Sequence, residues 1–432
     1  MKPMIFAIFI IFWLTPVAHA TAAVAVNDKI TLRATNPAGV PVHKVPRGTN
    51  DFRRVPDKSK AIVLELIKNG RWLRLQFDDN TTGWITNKYV AAEKDRPNGQ
   101  LDGAASGSGD IEAVWKSPES CKQTISQGKR MPKSTADALR IATWNIRWFP
   151  RGCSPSQSCE ENTTDIDWLA CTIAWMNIDV LAVQEILDSV PARVQLATLT
   201  DELNALTGGS WENDLHDCGP PKSQHVGFLW NSKRVTLENP SDLAQMNGAS
   251  RGRNACASNL RPGRYAHVKS KKPNGADFHL ISVHFDSGVS DRDFQNRRRA
   301  SSRIPLIRVD GTPITELDRD VIVAGDFNTM GRKDAPAVFA ADEIGMFDRE
   351  IGPGFKRLPV APFCTEYYKK KPGTLDHFVV SEEMREASVE ARVSGYCAVS
   401  LCKPIRGAMP SAYEKLSDHC PVLVDVRDED LD

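Results

Sequence analysis

Between residues 139 and 426 the chain alternates short, β-branched apolar runs with longer stretches of helical periodicity. That alternation confines this region to a mixed α/β architecture. "LRIATWNIRW" alternates as a half-buried strand, and "VLAVQEI", "HVGFLWN", "FHLISVHF", "VIVAGDF", "HFVVS" and "PVLVDV" follow as strands. Between them, "TDIDWLACTIAWMNI" sets Ile166, Leu169 and Ile173 on one helical face, with Thr164 as the cap candidate. "PARVQLATLTDELNALTG" opens with Pro191 and closes before Gly208, the usual helix asymmetry. The expected architecture is an α/β sandwich, with sheets packed on each other and helices outside.

The rest of the chain differs in character. With 432 residues and 41% hydrophobic content there is material for two cores. Residues 1–20, "MKPMIFAIFIIFWLTPVAHA", carry Lys2, an apolar run and small residues at Ala18 and Ala20. This is the layout of a cleavable export signal, too short for a comfortable membrane span. No later stretch is apolar enough to cross a bilayer, so a periplasmic or secreted protein is expected. The ten cysteines all lie beyond residue 120 and form no Cys-x-x-Cys pair, which favours disulfides over structural zinc. Cys153–Cys159 and Cys397–Cys402 are the locally plausible loops. The polar stretch 93–138 reads as a flexible linker. Residues 27–92 are β-rich, and Leu32-Arg33, Gly70-Arg71-Trp72, Gly83-Trp84-Ile85 and Tyr89 loosely resemble a bacterial SH3-like (SH3b) domain. That resemblance implies a small barrel with a cell-wall or other ligand.

Several strands of the α/β region end in polar residues. Asn145 lies in the first, Glu185 ends the second and His284 lies in "ISVHFDSG". Asp326 and Asn328 end "VIVAGDFN", Asp376 precedes "HFVVS", and Asp418 and His419 precede "CPVLVDV". Each alone reads as a turn former, a cap or a satisfied core polar group. Together, on strands of one domain, they read as a site held by a rigid sheet. Carboxylates and an Asn are hard oxygen ligands suited to Mg²⁺, Mn²⁺ or Ca²⁺, and two histidines can exchange protons near neutrality. That chemistry fits hydrolysis of a phosphate ester by activated water.

The segments "ATWNIRWF", "VLAVQEI", "SVHFDSG", "VAGDFNTMG", "LDHFVVS" and "SDHCPVLVDV" occur in an order that resembles the endonuclease/exonuclease/phosphatase superfamily. The resemblance implies a four-layered α/β sandwich of the deoxyribonuclease I type over 139–427, after the small all-β barrel. It implies Asn145 and Glu185 as metal ligands, with Asp418 contributing to metal or water. Asp326 would position or activate the water, and Asn328 would bind a phosphate oxygen. His419, oriented by Asp376, would act in proton transfer or phosphate stabilisation, and His284 would be the second such group. Which histidine is acid and which is base does not follow from sequence.

His284 stands where the abasic-site repair branch carries Tyr, and "VQEILDSV", "SVHFDSG" and "SDHCPV" look most like secreted deoxyribonuclease I. Arg261 matches that enzyme's phosphate-contacting Arg, whereas Gln224 or His225 replaces the Glu that supports its histidine. Arginines in "SRGRNACASNLRPGR" and "DRDFQNRRRASSR" offer rim contacts to DNA phosphates without base reading. The expected function is an exported, divalent-metal-dependent DNA endonuclease of low sequence specificity. The alternatives are a phosphodiesterase or phosphatase on lipid headgroups, for which no exposed apolar loop is evident in the sequence, and a non-catalytic SH3b-anchored binding protein.

Overall fold

The computed structural model describes residues 29–32, 34, 39–43, 53–67, 72–77, 81–90, 108–154, 163–220, 223–252, 254–331 and 338–431. The chain divides into two compact units, Met1–Gln100 and Leu101–Asp432. The export signal at 1–20, Gly70-Arg71, residues 93–107 and Cys159 lie outside the described residues. Among the described residues no helix is long and apolar enough to cross a membrane.

The first unit is a small all-β region. Antiparallel strands Lys29–Thr31, Lys60–Ile67, Trp72–Phe77 and Thr82–Thr86 form one sheet, beside a Val40–Val42/Arg53–Val55 ribbon. Leu73, Leu75 and Phe77 are buried while Arg74 is exposed, so the alternation of this strand selects one face for the core.

The second unit is the expected sandwich. A seven-stranded sheet runs Val360–Ala361, Ala391–Val393, Val422–Val426, Leu139–Phe149, Val180–Leu187, Gln224–Asn231, Trp211–Leu215. A six-stranded sheet runs Val235–Leu243, Gly263–Ser270, Asp277–His284, Val321–Asp326, Asp376–Ser381, Phe355–Arg357. Near the centre of each lies a parallel pair, Leu139–Phe149 with Val180–Leu187 and Asp277–His284 with Val321–Asp326. A parallel pair needs a crossover, and helices Ile166–Met176 and Asp291–Ser301 lie in those connections.

Period-two alternation makes the layers. Leu280, Ile322 and Phe378 pack with Ile141 and Val180 of the other sheet, forming the core between sheets. Their neighbours Ile281, Val323 and Val379 face the opposite way, into a second core with Ala300 and Phe347 of helices Asp291–Ser301 and Val338–Glu350. Leu169, Ile173, Leu196 and Leu203 bring helices Ile166–Met176 and Val190–Thr207 onto the seven-stranded sheet. Pro191 lies in the first turn of the latter helix, and Gly208 ends it in the left-handed region.

Three expectations are corrected. The second half of the expected linker 93–138 is folded, with helices Ser108–Val114 and Pro118–Ser126 and a Cys121–Cys171 disulfide. Val114, Trp115 and Ile125 are buried there, so the apolar residues of this polar stretch are core residues. Helix Ile166–Met176 is capped by Asp165, whose carboxylate accepts from the Trp168 amide, rather than by Thr164. Cys397 bonds Cys420 and Cys402 bonds Cys364, in place of the local Cys397–Cys402 loop. Left-handed residues Leu401 and Cys402 fold the chain back after the short helix and turn Cys402 toward Cys364. Cys218 bonds Cys256, and Cys153 is also disulfide-bonded.

Within the second unit, Arg140 ties strand Leu139–Phe149 to the last strand, Val422–Val426. Fully buried, it donates from Nε and Nη2 to the Asp425 carboxylate at 2.7 and 3.0 Å. It also donates to the carbonyls of Met131, Met176 and Pro132. Arg140→Ala strands Asp425 and three carbonyls, so it should cost about 3–5 kcal/mol in urea unfolding. A loss under 1 kcal/mol would show that water replaces the guanidinium.

Candidate active site

The two parallel pairs end on one side of the sandwich, where they present the candidate site residues. His284, Asp326 and Asp376 form one register row across three neighbouring strands. Asn145 reaches them from the other sheet, its Nδ2 donating to Asp326 Oδ2 at 3.0 Å. The other Asp326 oxygen accepts from the Asn328 amide at 2.9 Å.

Close strand approach makes this row, and Gly325 permits it. Its φ is 156°, and a Cβ there would meet the Val283 carbonyl oxygen at 2.0 Å. Gly325→Ala should therefore push apart the strands bearing His284 and Asp326. The expected loss is about 1–3 kcal/mol of stability, with activity falling further. Unchanged thermal midpoint and rate would mean that the strands separate freely. Glu185 and Asn328 both hold positive φ, 64° and 51°, a strained backbone of the kind found at functional sites.

Two histidines flank Asp326. His284 Nε2 lies 3.4 Å from Asp326 Oδ2 and 3.8 Å from Glu185 Oε1. His419 Nε2 lies 3.9 Å from the same Asp326 oxygen, while its Nδ1 meets Asp376 Oδ2 at 2.8 Å. Their environments drive them apart. Burial and the nearby Arg261 and His419 charges hold His284 well below the usual imidazole range. Burial also acts to lower His419, but the Asp376 and Asp326 charges and the Asp376 hydrogen bond outweigh it and hold His419 well above that range. Burial pushes Asp326 up to about 7, with His419 opposing and Asp376 adding. Burial, reinforced by Asp418, also raises Glu185.

The expected metal ligands assemble as donors. Asn145 Oδ1 is buried with no hydrogen-bond partner, an orphan oxygen that a cation would satisfy. Glu185 accepts from the Trp148 amide at 2.9 Å, and Asp418 is close enough to raise it. This all-oxygen set fits a hard divalent cation. Asp326, Asp376 and His419 also bring ligand atoms within 4.8 Å of one another.

A family model for the endonuclease/exonuclease/phosphatase family matches residues 142–419, from the first strand of this row to its last histidine. The chain belongs to that family. It is a hydrolase acting on phosphate esters, in a family whose enzymes generally depend on a divalent metal. No curated protein matches the chain. Among solved structures it is similar to a family member from Bacteroides vulgatus, at 16% identity, covering 68% of this chain and 99% of that one, with a TM-score of 0.44. The mannosyl-6-phosphatase of Bacteroides thetaiotaomicron matches at 16%, covering 66% and 98%, TM-score 0.40. The D. rerio TDP2 with a single-strand DNA product matches at 14%, covering 67% and 98%, TM-score 0.43.

Around this family core, other expected residues fall in place or out of it. Arg261 is buried beside the site, donating to the Phe285 carbonyl at 3.0 Å, with its Nε unpartnered. The Asn328 side chain donates from Nδ2 to the same carbonyl at 3.1 Å. Neither Gln224 nor His225 supports His284, whose Nδ1 has no hydrogen-bond partner. His225 instead stacks on His216, with Nδ1 against the His216 carbonyl. The arginine clusters are largely structural: Arg264 pairs with Asp214 and Asp242, Arg297 with buried Glu343, and Arg298 with Glu350. Arg299 and Arg303 donate to backbone carbonyls, and Arg253 lies outside the described residues.

Glu366 is a site residue that the sequence did not reveal. Its backbone bridges His419, and burial pushes its carboxyl up to about 8, with His419 opposing and Asp418, Asp376 and Asp326 adding. It sits in a three-residue strand without an apolar run, so no periodicity marks it. Thr365 beside it accepts from the Leu375 and Asp376 amides and fixes the approach of Asp376. Tyr396 donates to the Asp418 carbonyl at 2.6 Å.

Proposed function

We propose that the chain is an exported, divalent-metal-dependent nuclease that cuts DNA with little sequence specificity. The observation that carries the reading is Asp326 between two imidazoles driven to opposite protonation states. In a hydrolase, two titratable groups pushed apart in this way divide the roles of base and acid. Asn145 and the Asn328 amide hold Asp326, which orients the attacking water. Neutral His284 receives the water's proton as its oxygen bonds to phosphorus. The P–O ester bond breaks, and cationic His419, held by Asp376, gives its proton to the leaving oxygen. Asn328 and Arg261 bind the phosphate oxygens. Asn145 and Glu185, with Asp418, would hold the metal, which supplies charge neutralisation at the phosphate when bound.

A long polyanion is favoured by the hairpin Glu366–Tyr368/Lys371–Gly373, whose base lies at His419. Lys369, Lys370 and Lys371 are exposed at its tip beside exposed Tyr368, a basic and stacking surface suited to a nucleic-acid strand. Lys369 and Lys370 both take left-handed φ, which hairpin turns ordinarily assign to Asn and Gly. Keeping lysines there at a conformational cost supports a binding role. The disulfides suit an oxidising compartment. The first unit would serve as an SH3b-type module with a cell-wall or other ligand.

A second reading, lipid phosphodiesters, is favoured by exposed Phe363 and Leu401, each adjacent to a cysteine of the Cys364–Cys402 bond. The sequence does not mark these two apolar side chains as exposed. The test is nicking of supercoiled plasmid by the oxidised chain in Mg²⁺, Mn²⁺ or EDTA, with sphingomyelin and phosphoinositide vesicles in parallel. Metal-dependent nicking, lost in Asp326→Ala, is the expected result. Turnover of vesicles with intact plasmid would overturn the nuclease reading and leave the phosphoesterase.

A further inference from the structure

A second cluster of metal-ligating side chains lies at the opposite end of the strand that carries His284. Asp277 opens that strand, roughly 23 Å from His284 at ordinary strand rise. His267, on the neighbouring strand, and Asp318, just ahead of strand Val321–Asp326, meet it there. One ligand atom from each of the three lies within 4.8 Å of the other two.

The contacts among them are not those of a settled ion pair. His267 Nε2 is 3.0 Å from Asp277 Oδ2 and 4.0 Å from Asp318 Oδ2, yet it is buried without a hydrogen bond. The short approach to Asp277 thus lacks the direction of a donated proton. Asp318 spends its other oxygen on the Asp320 amide, leaving Oδ2 toward the histidine.

His279 supplies an independent observation. It is the cross-strand register partner of His267, and their rings lie 4.8 Å apart. Its side chain is buried, at 3% exposure, and Nε2 has no hydrogen-bond partner. Nδ1 meets the Tyr265 hydroxyl at 2.9 Å, so Nε2 is turned away from Tyr265.

We propose that His267, Asp277 and Asp318, with the fourth position filled by His279 or a water, form a second metal site for a zinc-class divalent cation. Two imidazoles and two carboxylates suit a borderline cation in tetrahedral coordination, unlike the all-oxygen set at Asn145 and Glu185. Cysteine does not compete, because the described residues include no free thiol. The third cluster, His216 with Cys218 and Cys256, has its sulfurs committed to a disulfide. A cation here would clamp three neighbouring strand ends of the sheet that presents His284 and Asp326, stabilising the scaffold away from the chemistry.

The test uses the oxidised full chain carrying Glu185→Ala, which weakens the catalytic metal site. Stripped of metal, it is titrated with ZnCl2 by calorimetry and with CoCl2 by visible absorption. The expected result is one equivalent of Zn²⁺, tetrahedral Co²⁺ bands and a raised thermal midpoint. Adding Asp318→Asn, which keeps the shape, or His267→Ala should weaken Zn²⁺ binding about 100-fold or more. Metal-free midpoints and circular dichroism establish that each variant is folded. No uptake by the Glu185→Ala chain, or undiminished uptake in either double variant, would overturn the proposal. Plasmid nicking by the single variants His267→Ala and Asp318→Asn should persist, so failure of this site and failure of the nuclease reading are separable.

Discussion

Asp326→Ala should lower hydrolysis at least about a thousand-fold, since it removes the group that both histidines and Asn145 converge on. The fold should survive, and the sign of the stability change can be worked out. The folded-state carboxyl is raised from 3.8 to about 7 by burial. A raised group contributes stability that is fully present below its unfolded pKa and lost as pH rises through the folded one. Above neutrality the wild-type chain therefore carries a buried charge that costs up to about 4 kcal/mol. The alanine variant is free of that cost. With EDTA present, its thermal midpoint should exceed the wild-type value at pH 8 and lose that advantage toward pH 4. Full activity, or a collapse of the midpoint at every pH, would sink the assignment of Asp326 as a functional rather than structural carboxylate.

The same residue shows what a sequence can disclose. "VIVAGDFN" names a strand and the polar pair at its end, because local alternation writes both into adjacent letters. Asn145, Glu185, His284, Asp376 and His419 were legible for that reason, and the sheets bring them together. Arg264 and Arg297 were misread as a solvent-facing phosphate rim because their partners, Asp214 and Glu343, are distant in sequence. A guanidinium looks the same in a string whether it faces water or a buried carboxylate. Glu366 was invisible for the converse reason: its role comes from a backbone bridge to His419, more than fifty positions on. The disulfides follow suit, since Cys397 reaches Cys420 only after a helix has turned it there.

Asp376→Asn tests the division of labour between the histidines. It keeps the shape of the side chain but removes the charge that accepts from His419 Nδ1 at 2.8 Å. Asp376 is the largest influence raising His419 against burial, so without it the imidazolium is held less firmly and its folded pKa falls. A histidine that acts as the cation is active below its pKa. The alkaline limb of the pH–rate profile should therefore move to lower pH, and the rate at pH 8 should drop by about 10²–10⁴. His419's stabilising contribution, present below the unfolded pKa and lost as pH rises through the folded one, should fade over a lower window as well. The rate deficit should then shrink on acidification, while the His284→Ala deficit should not, because His284 is already neutral. An Asp376→Asn profile lowered equally at every pH would mean that Asp376 only orients the ring. A shift of the limb to higher pH would reverse the roles and make His419 the base.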